Sequence, residues 1–232
     1  MKNKEISEKS NNLDNLSLYV TDVLCSANLK GLSVDFAEIT LDSILKNEAL
    51  KSIPVVKSLL AIIETTQNIS NYLFLKKIVV FLSNIKKVSA KKRKEMINKI
   101  DTSKEYKVKV GETLLNLLDK CDSTEKAAYL GTWFTAFLKG KISYGMFLNG
   151  AHIINNVYLH DLEYFLLDDA DWMMVEDAYQ EIAAGLFYVD FTFAFWDIRK
   201  LADGELDIDE VSEAGAKITP IGSALRSVFS QL

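Results

Sequence analysis

Apolar residues recur at helical spacing along most of this chain. The spacing predicts helices from about Leu16 to Leu29 and from about Val34 to Leu45. Ser52-Ile53-Pro54 opens a stronger one, because proline is tolerated in a first helical turn and Val55, Val56, Leu59, Leu60, Ile62 and Ile63 follow. Asn68-Ile69-Ser70-Asn71 punctuates it, since small polar side chains compete for backbone hydrogen bonds. Leu75, Ile78, Val79, Leu82 and Ile85 then form one stripe, with Lys76 and Lys77 to its side. Ser89 is an N-cap for Ala90 to Ile100, and Val110, Leu114, Leu117, Leu118 and Cys121 mark the apolar face of the following helix.

Asp122-Ser123-Thr124-Glu125 reads as a capping box with Asp122 as acceptor. It opens a helix carrying Ala127, Leu130, Trp133, Phe134, Phe137 and Leu138, which Lys139-Gly140-Lys141 closes. Ser143 caps a helix bearing Met146, Phe147, Ile153, Ile154 and Val157, and Asp161 to Leu167 predicts a short further one. Four or five helices with short connections between Ala90 and Leu167 suit an antiparallel bundle or a helical stack, and no fixed repeat period is visible.

The period changes near the end. A helix is predicted from about Asp171 to Ala184, after which Phe187, Val189, Phe191, Phe193 and Phe195 occupy alternate positions, the period of a strand. An acidic loop follows, then a returning strand at Ala214 to Thr219. Thr219-Pro220 then starts a final helix carrying Ile221, Ala224, Leu225, Val228 and Phe229. The fold expected is mainly α: a polar arm over residues 1–15, a multi-helix bundle over 16–168, and a small α+β unit over 169–232.

Composition supports this reading. Apolar residues make up 49% and charged residues 25% of the 232, far from the composition of disordered chains. Two prolines and ten glycines are too few for a sandwich or barrel that turns every few residues. The polar start of the chain lacks a signal-peptide core, so a cytoplasmic location is expected. The longest apolar stretches, Ile53 to Ile63, Tyr72 to Ile85 and Leu186 to Trp196, fall short of the roughly 20 residues of a bilayer span. Cys25 and Cys121 match no ligand spacing and read as small buried apolar groups.

Charge changes the picture more. Up to Leu159 the chain holds 23 Lys/Arg against 16 Asp/Glu, and beyond it 4 against 16. The basic excess lies between residues 76 and 109, where twelve cations, Lys86, Lys87, Lys91, Lys92, Arg93 and Lys94 among them, face Glu95, Asp101 and Glu105. Such a run is a solvated face, or it binds a polyanion such as nucleic acid or an anionic membrane surface. The acidic third can also serve as its partner, within the chain or in a second copy, which leaves room for a homo-oligomer.

Catalytic and metal motifs are missing from the sequence. His152 and His160 are the only histidines, expected to be one exposed and one partly buried, and a metal site needs more convergent ligands. Asp203 to Glu210 is similar to a calcium loop, yet Ile208 stands where glycine is required and Ala214 where a bidentate glutamate belongs. No phosphate-binding or dinucleotide-binding glycine motif and no GxSxG occurs. Asp168, Asp169 and Asp171 read as helix-capping acids rather than an acid/base pair. Phe187, Phe191, Phe193, Phe195 and Trp196 lack the interleaved cations of a base-stacking platform and read as core or protein interface. The expectation is a non-enzymatic interaction or regulatory protein without cofactor, which binds a protein partner through its C-terminal unit, with polyanion binding by residues 76–109 as the rival.

The order helix, Gly185-Leu186, strand, loop, strand ending at Lys217-Ile218-Thr219, then Pro220-Ile221-Gly222-Ser223-Ala224-Leu225, resembles the tail of winged-helix domains. In those a Gly-Leu step enters the wing and a Thr-x-x-Gly-x-x-Leu step leaves it. Winged-helix domains often bind DNA, but this stretch has only Arg199, Lys200, Lys217 and Arg226 to meet phosphates, which points to protein contact. The wider arrangement of Ile53-Pro54-Val55-Val56, Tyr72 to Lys77, Lys92-Arg93-Lys94 and the helical region through Phe165 resembles a family of uncharacterised bacterial proteins, some carried on phages and other mobile elements. That resemblance implies a bacterial or phage setting and carries no activity with it.

Overall fold

Most helix ends follow from local hydrogen bonding. The computed structural model describes residues 15–26, 29, 39–103, 109–192, 199, 200, 202, 203 and 215–230. It is mainly helical, with a small antiparallel sheet near the C-terminus, and it divides into two units, Met1–Asn155 and Asn156–Leu232.

In the first unit, α1 covers 15–25, α2 Leu41–Lys46, α3 Glu48–Lys51 and α4 Pro54–Thr66. Then come α5 Ile69–Ile85, α6 Ala90–Asp101, α7 Val110–Lys120, α8 Thr124–Leu138 and α9 Tyr144–Asn156, whose last residue crosses the boundary. Pro54 occupies the first helical position of α4, where no intrahelical N–H is needed. Gln67 takes a left-handed conformation and closes α4 with an N–H to Ile63 O bond of 2.8 Å, and Asn68 Oδ1 accepts from Ser70 N at 2.8 Å to open α5. Ser89 and Ser143 cap α6 and α9 as their positions predict.

The centre of this unit is α5 against α8. Leu75, Ile78, Val79, Leu82 and Ile85 are buried, and so are Val80 and Phe81, so α5 is enclosed over more of its circumference than one stripe. Phe81 meets Phe134 at 5.6 Å between ring centroids, and Phe134 meets Phe147 of α9 edge-on at 5.0 Å. Trp133 is fully buried and donates its indole N–H to Phe147 O at 3.0 Å, which satisfies the polar end of the largest core side chain. Burying side chains of this size stabilises by roughly 2–3 kcal/mol each before entropy is counted. No helix among the described residues is long and apolar enough to cross a membrane.

The second unit holds α10 Leu159–Leu167, β1 Trp172–Met174, α11 Tyr179–Ala183, β2 Phe187–Asp190, β3 Gly215–Ile218 and α12 Pro220–Phe229. Its strands run antiparallel in the order β1-β3-β2, with Trp172 and Tyr188 both opposite Lys217 and Phe187 opposite Ile218. One face, with Phe187 and Ala216, is closed by the core, where Phe165 of α10 meets Phe187 edge-on at 6.3 Å.

Several expectations change. The helix expected from Asp171 to Ala184 is instead a short strand, a turn and a five-residue helix, because Trp172, Met173 and Met174 pair with β3 more than 40 positions away. The predicted strand of alternating phenylalanines ends at Asp190, whose side chain accepts from the Thr192 amide at 2.9 Å and turns the chain. Phe193, Phe195 and Trp196 lie outside the described residues. The N-cap of α8 is Ser123 rather than Asp122, and Asp122 takes the Lys126 ammonium at 2.7 Å instead. On α7, Leu115 is buried and Leu117 half-buried. The unit boundary falls before α10 rather than after it, since α10 packs on α12.

Candidate functional site

α6 distributes its charges on three sides. Arg93 and Ile97, one turn apart, face inward and are buried. Lys92, Glu95 and Lys99 form an ion-paired row, with Glu95 to Lys99 at 2.9 Å and to Lys92 at 3.6 Å. Lys91, Lys94 and Asn98 form a third, exposed row, and Lys87 is exposed in the α5–α6 turn just before the helix. Among the described residues, no carboxylate lies within ion-pair distance of Lys87, Lys91 or Lys94.

Arg93 therefore leaves the set of cations predicted to meet a polyanion. Its Nε donates to Leu24 O at 2.6 Å, and its two terminal nitrogens donate to Val88 O and Ser26 O. It caps the last carbonyls of α1, where a cation also suits the helix dipole. Burial holds its guanidinium below the usual value, with the neighbouring Cys25 thiol acting the other way. Of the remaining predicted cations, Lys87, Lys91 and Lys94 are exposed, and Lys86 and Lys92 are half-buried.

A second surface lies on the sheet of the C-terminal unit. Trp172, Lys217 and Tyr188 are neighbours across three strands on the face opposite Phe187 and Ala216. Trp172 and Tyr188 are each 44% exposed. The Trp172 indole lies over Gly215, and any Cβ there would collide with it. Asp190 sits on the same face, its carboxyl held below the usual value first by the Thr192 hydroxyl, then by the Thr192 amide, with Lys217 adding to the effect. Of the predicted interface residues, Phe191 is 53% exposed, whereas Phe187 is core. Sequence alternation singled out 187, 189 and 191, and the open face is the other parity, 188 and 190, with Trp172 brought beside it by pairing.

The two steps of the winged-helix resemblance meet in one joint. Thr219 N donates to Leu186 O at 2.9 Å, and its hydroxyl lies 2.9 and 3.0 Å from Gly185 O and Leu186 O while accepting from Gly222 N. Gly222 is required there, because a Cβ would come within 2.6 Å of Leu186 O. Arg226, counted among the cations available to phosphate, is occupied inside the unit. It donates to Phe165 O, Ala170 O and Asp168 at 3.0, 2.7 and 3.2 Å and lies 4.4 Å over the Phe165 ring. Asp168 is thus committed, and Asp169 and Asp171 are exposed ahead of a strand, so helix capping does not explain them.

His152 and His160 are both exposed, and no group of metal-binding side chains occurs among the described residues. Cys121 is buried, with its thiol 3.1 Å from Asn155 Oδ1, and Lys77 donates to its carbonyl. Burial, outweighing Lys77 and Lys126, pushes this thiol up to about 11, so it stays protonated and un-nucleophilic at neutral pH. Cys25, half-buried, is also raised by burial. Comparison of the chain with protein-family models, with curated proteins and with solved structures finds no match in any of the three.

Proposed function

We propose that the chain is a non-enzymatic interaction protein whose acidic C-terminal unit binds a basic protein partner through the open face of its sheet. The observation that carries this is Trp172 and Tyr188 flanking Lys217 on a face the core does not use. Aromatic side chains left in water on a sheet already closed on its other side mark interfaces, because they bury large area at small entropic cost. Charge adds direction: residues 160–232 hold 4 Lys/Arg against 16 Asp/Glu, which favours encounter with a basic surface. The joint of Gly185-Leu186 with Thr219 and Gly222 supports a winged-helix-like reading of the unit. With Arg226 internal and α11 only five residues long, that reading favours protein contact over DNA.

The test is capture of partners by the full-length chain against a Tyr188→Ser variant, with Trp172→Ala added in a second variant because Trp172 also covers Gly215. Loss of specific partners at unchanged melting temperature supports the reading. Identical partner sets from all three proteins reject it.

A further inference from the structure

The basic row of α6 calls for its own explanation. Lys91 and Lys92 occupy the first turn of a twelve-residue helix that has no acidic residue there, and Lys94 follows. The N-terminal end of a helix carries partial positive charge, so cations placed there cost stability rather than add to it. Lys92 is relieved by Glu95, but Lys87, Lys91 and Lys94 are not. Arg93 fixes which side of α6 faces out, since its three carbonyl bonds hold the helix at one rotation.

We propose that Lys87, Lys91 and Lys94 form a sequence-independent site for the phosphodiester backbone of duplex nucleic acid. Lys91 and Lys94 stand three apart on α6, about 5–6 Å at Cβ, a spacing that lets neighbouring ammonium groups reach successive phosphates, and Lys87 adds an exposed cation from the turn that leads into the helix. Lysines are point charges, and the one arginine of the stretch, the residue type suited to bidentate base reading, is turned inward. α6 contains no aromatic residue, so the row offers nothing on which unpaired bases could stack, and this favours duplex over single strands. A membrane surface is disfavoured because insertion needs an apolar face. The Leu75 to Ile85 stripe is buried, and the exposed Ile69 and Leu73 of α5 sit at its far end, about 20 Å or more from Lys87 along the axis.

The experiment is fluorescence anisotropy of a labelled 20-base-pair duplex with the full-length chain over a salt series. Parallel arms use a single strand of the same length and vesicles containing anionic lipid. Three phosphate contacts give a slope near −2.7 in log K against log salt, or about 40-fold weaker binding at 200 mM than at 50 mM. K87Q/K91Q/K94Q is expected to lose that salt-dependent binding while its melting temperature stays level or rises. K46Q/K51Q/K57Q removes the same charge elsewhere in the unit and should retain most of the binding. Absence of salt-sensitive duplex binding, equal loss in both triple variants, tighter binding of the single strand, or binding confined to vesicles would each overturn the proposal.

Discussion

Arg93 lies among three backbone carbonyls from two places in the first unit, the end of α1 and the α5–α6 turn, and no carboxylate among the described residues pairs with it. Removing the guanidinium leaves Leu24 O, Ser26 O and Val88 O without their donor, and each buried unsatisfied group costs about 1–3 kcal/mol. Arg93→Ala is therefore expected to destabilise by about 3 kcal/mol or more, a fall of roughly 6–12 °C in Tm for a chain of this size. Arg93→Lys keeps the charge but cannot span three carbonyls, so it should recover only part of the loss in a thermal melt.

Cys121 gives a pH dependence of defined sign. Its folded-state thiol is raised to about 11, above the roughly 8.5 of an unfolded cysteine, so the folded chain holds the proton more tightly. Stability from this source is complete below about pH 8.5 and declines as pH rises through 11, by about 3 kcal/mol in all. Cys25 shifts in the same direction. Urea unfolding at neutral pH and in steps to about pH 11 should show a steeper decline for the native chain than for Cys121→Ala. Parallel declines would assign the pH effect to other groups.

At the scale of elements, the last helix is fixed at two points. Thr219 and Gly222 seat its first turn on Leu186 O, and Arg226 ties its middle to the end of α10 and to the segment before β1. The guanidinium also covers Phe165, so truncation removes packing as well as hydrogen bonds. Arg226→Ala is expected to cost about 2–4 kcal/mol and to raise deuterium uptake in β3 and α12, with Arg226→Lys intermediate. Unchanged exchange in both variants would mean that the hydrophobic face of α12, with Leu225 and Phe229, holds the unit by itself.

For the whole molecule, the change of charge in the sequence and the change of unit nearly coincide. No charged residue lies between Asn156 and Leu159, so the first unit holds 23 Lys/Arg against 16 Asp/Glu and the second 4 against 16. The two surfaces proposed for binding follow this division: an open aromatic sheet face on the acidic unit and a lysine row on the basic one. Tyr188 on the one surface and Lys87, Lys91 and Lys94 on the other are not buried in the core, so substituting them separates binding from folding.

The sequence by itself determined most of the helices. Pro54, Asn68, Ser89, Ser143, Gly140 and Thr219 act within about four residues of where they stand, so the start or end of each helix is written beside it. The apolar stripe Leu75 to Ile85 was equally legible, because periodicity records which face is apolar, and the fold decided that it is buried together with Val80 and Phe81. Only the tertiary structure decided the rest. Arg93 looks like its lysine neighbours until carbonyls 67 and 69 positions away receive it. Trp172 to Met174 becomes a strand because β3 supplies its hydrogen bonds, and Asp190 ends β2 before the phenylalanine alternation does. Hydrogen bonds between distant segments leave no period in a sequence, so they become visible only when the chain is folded.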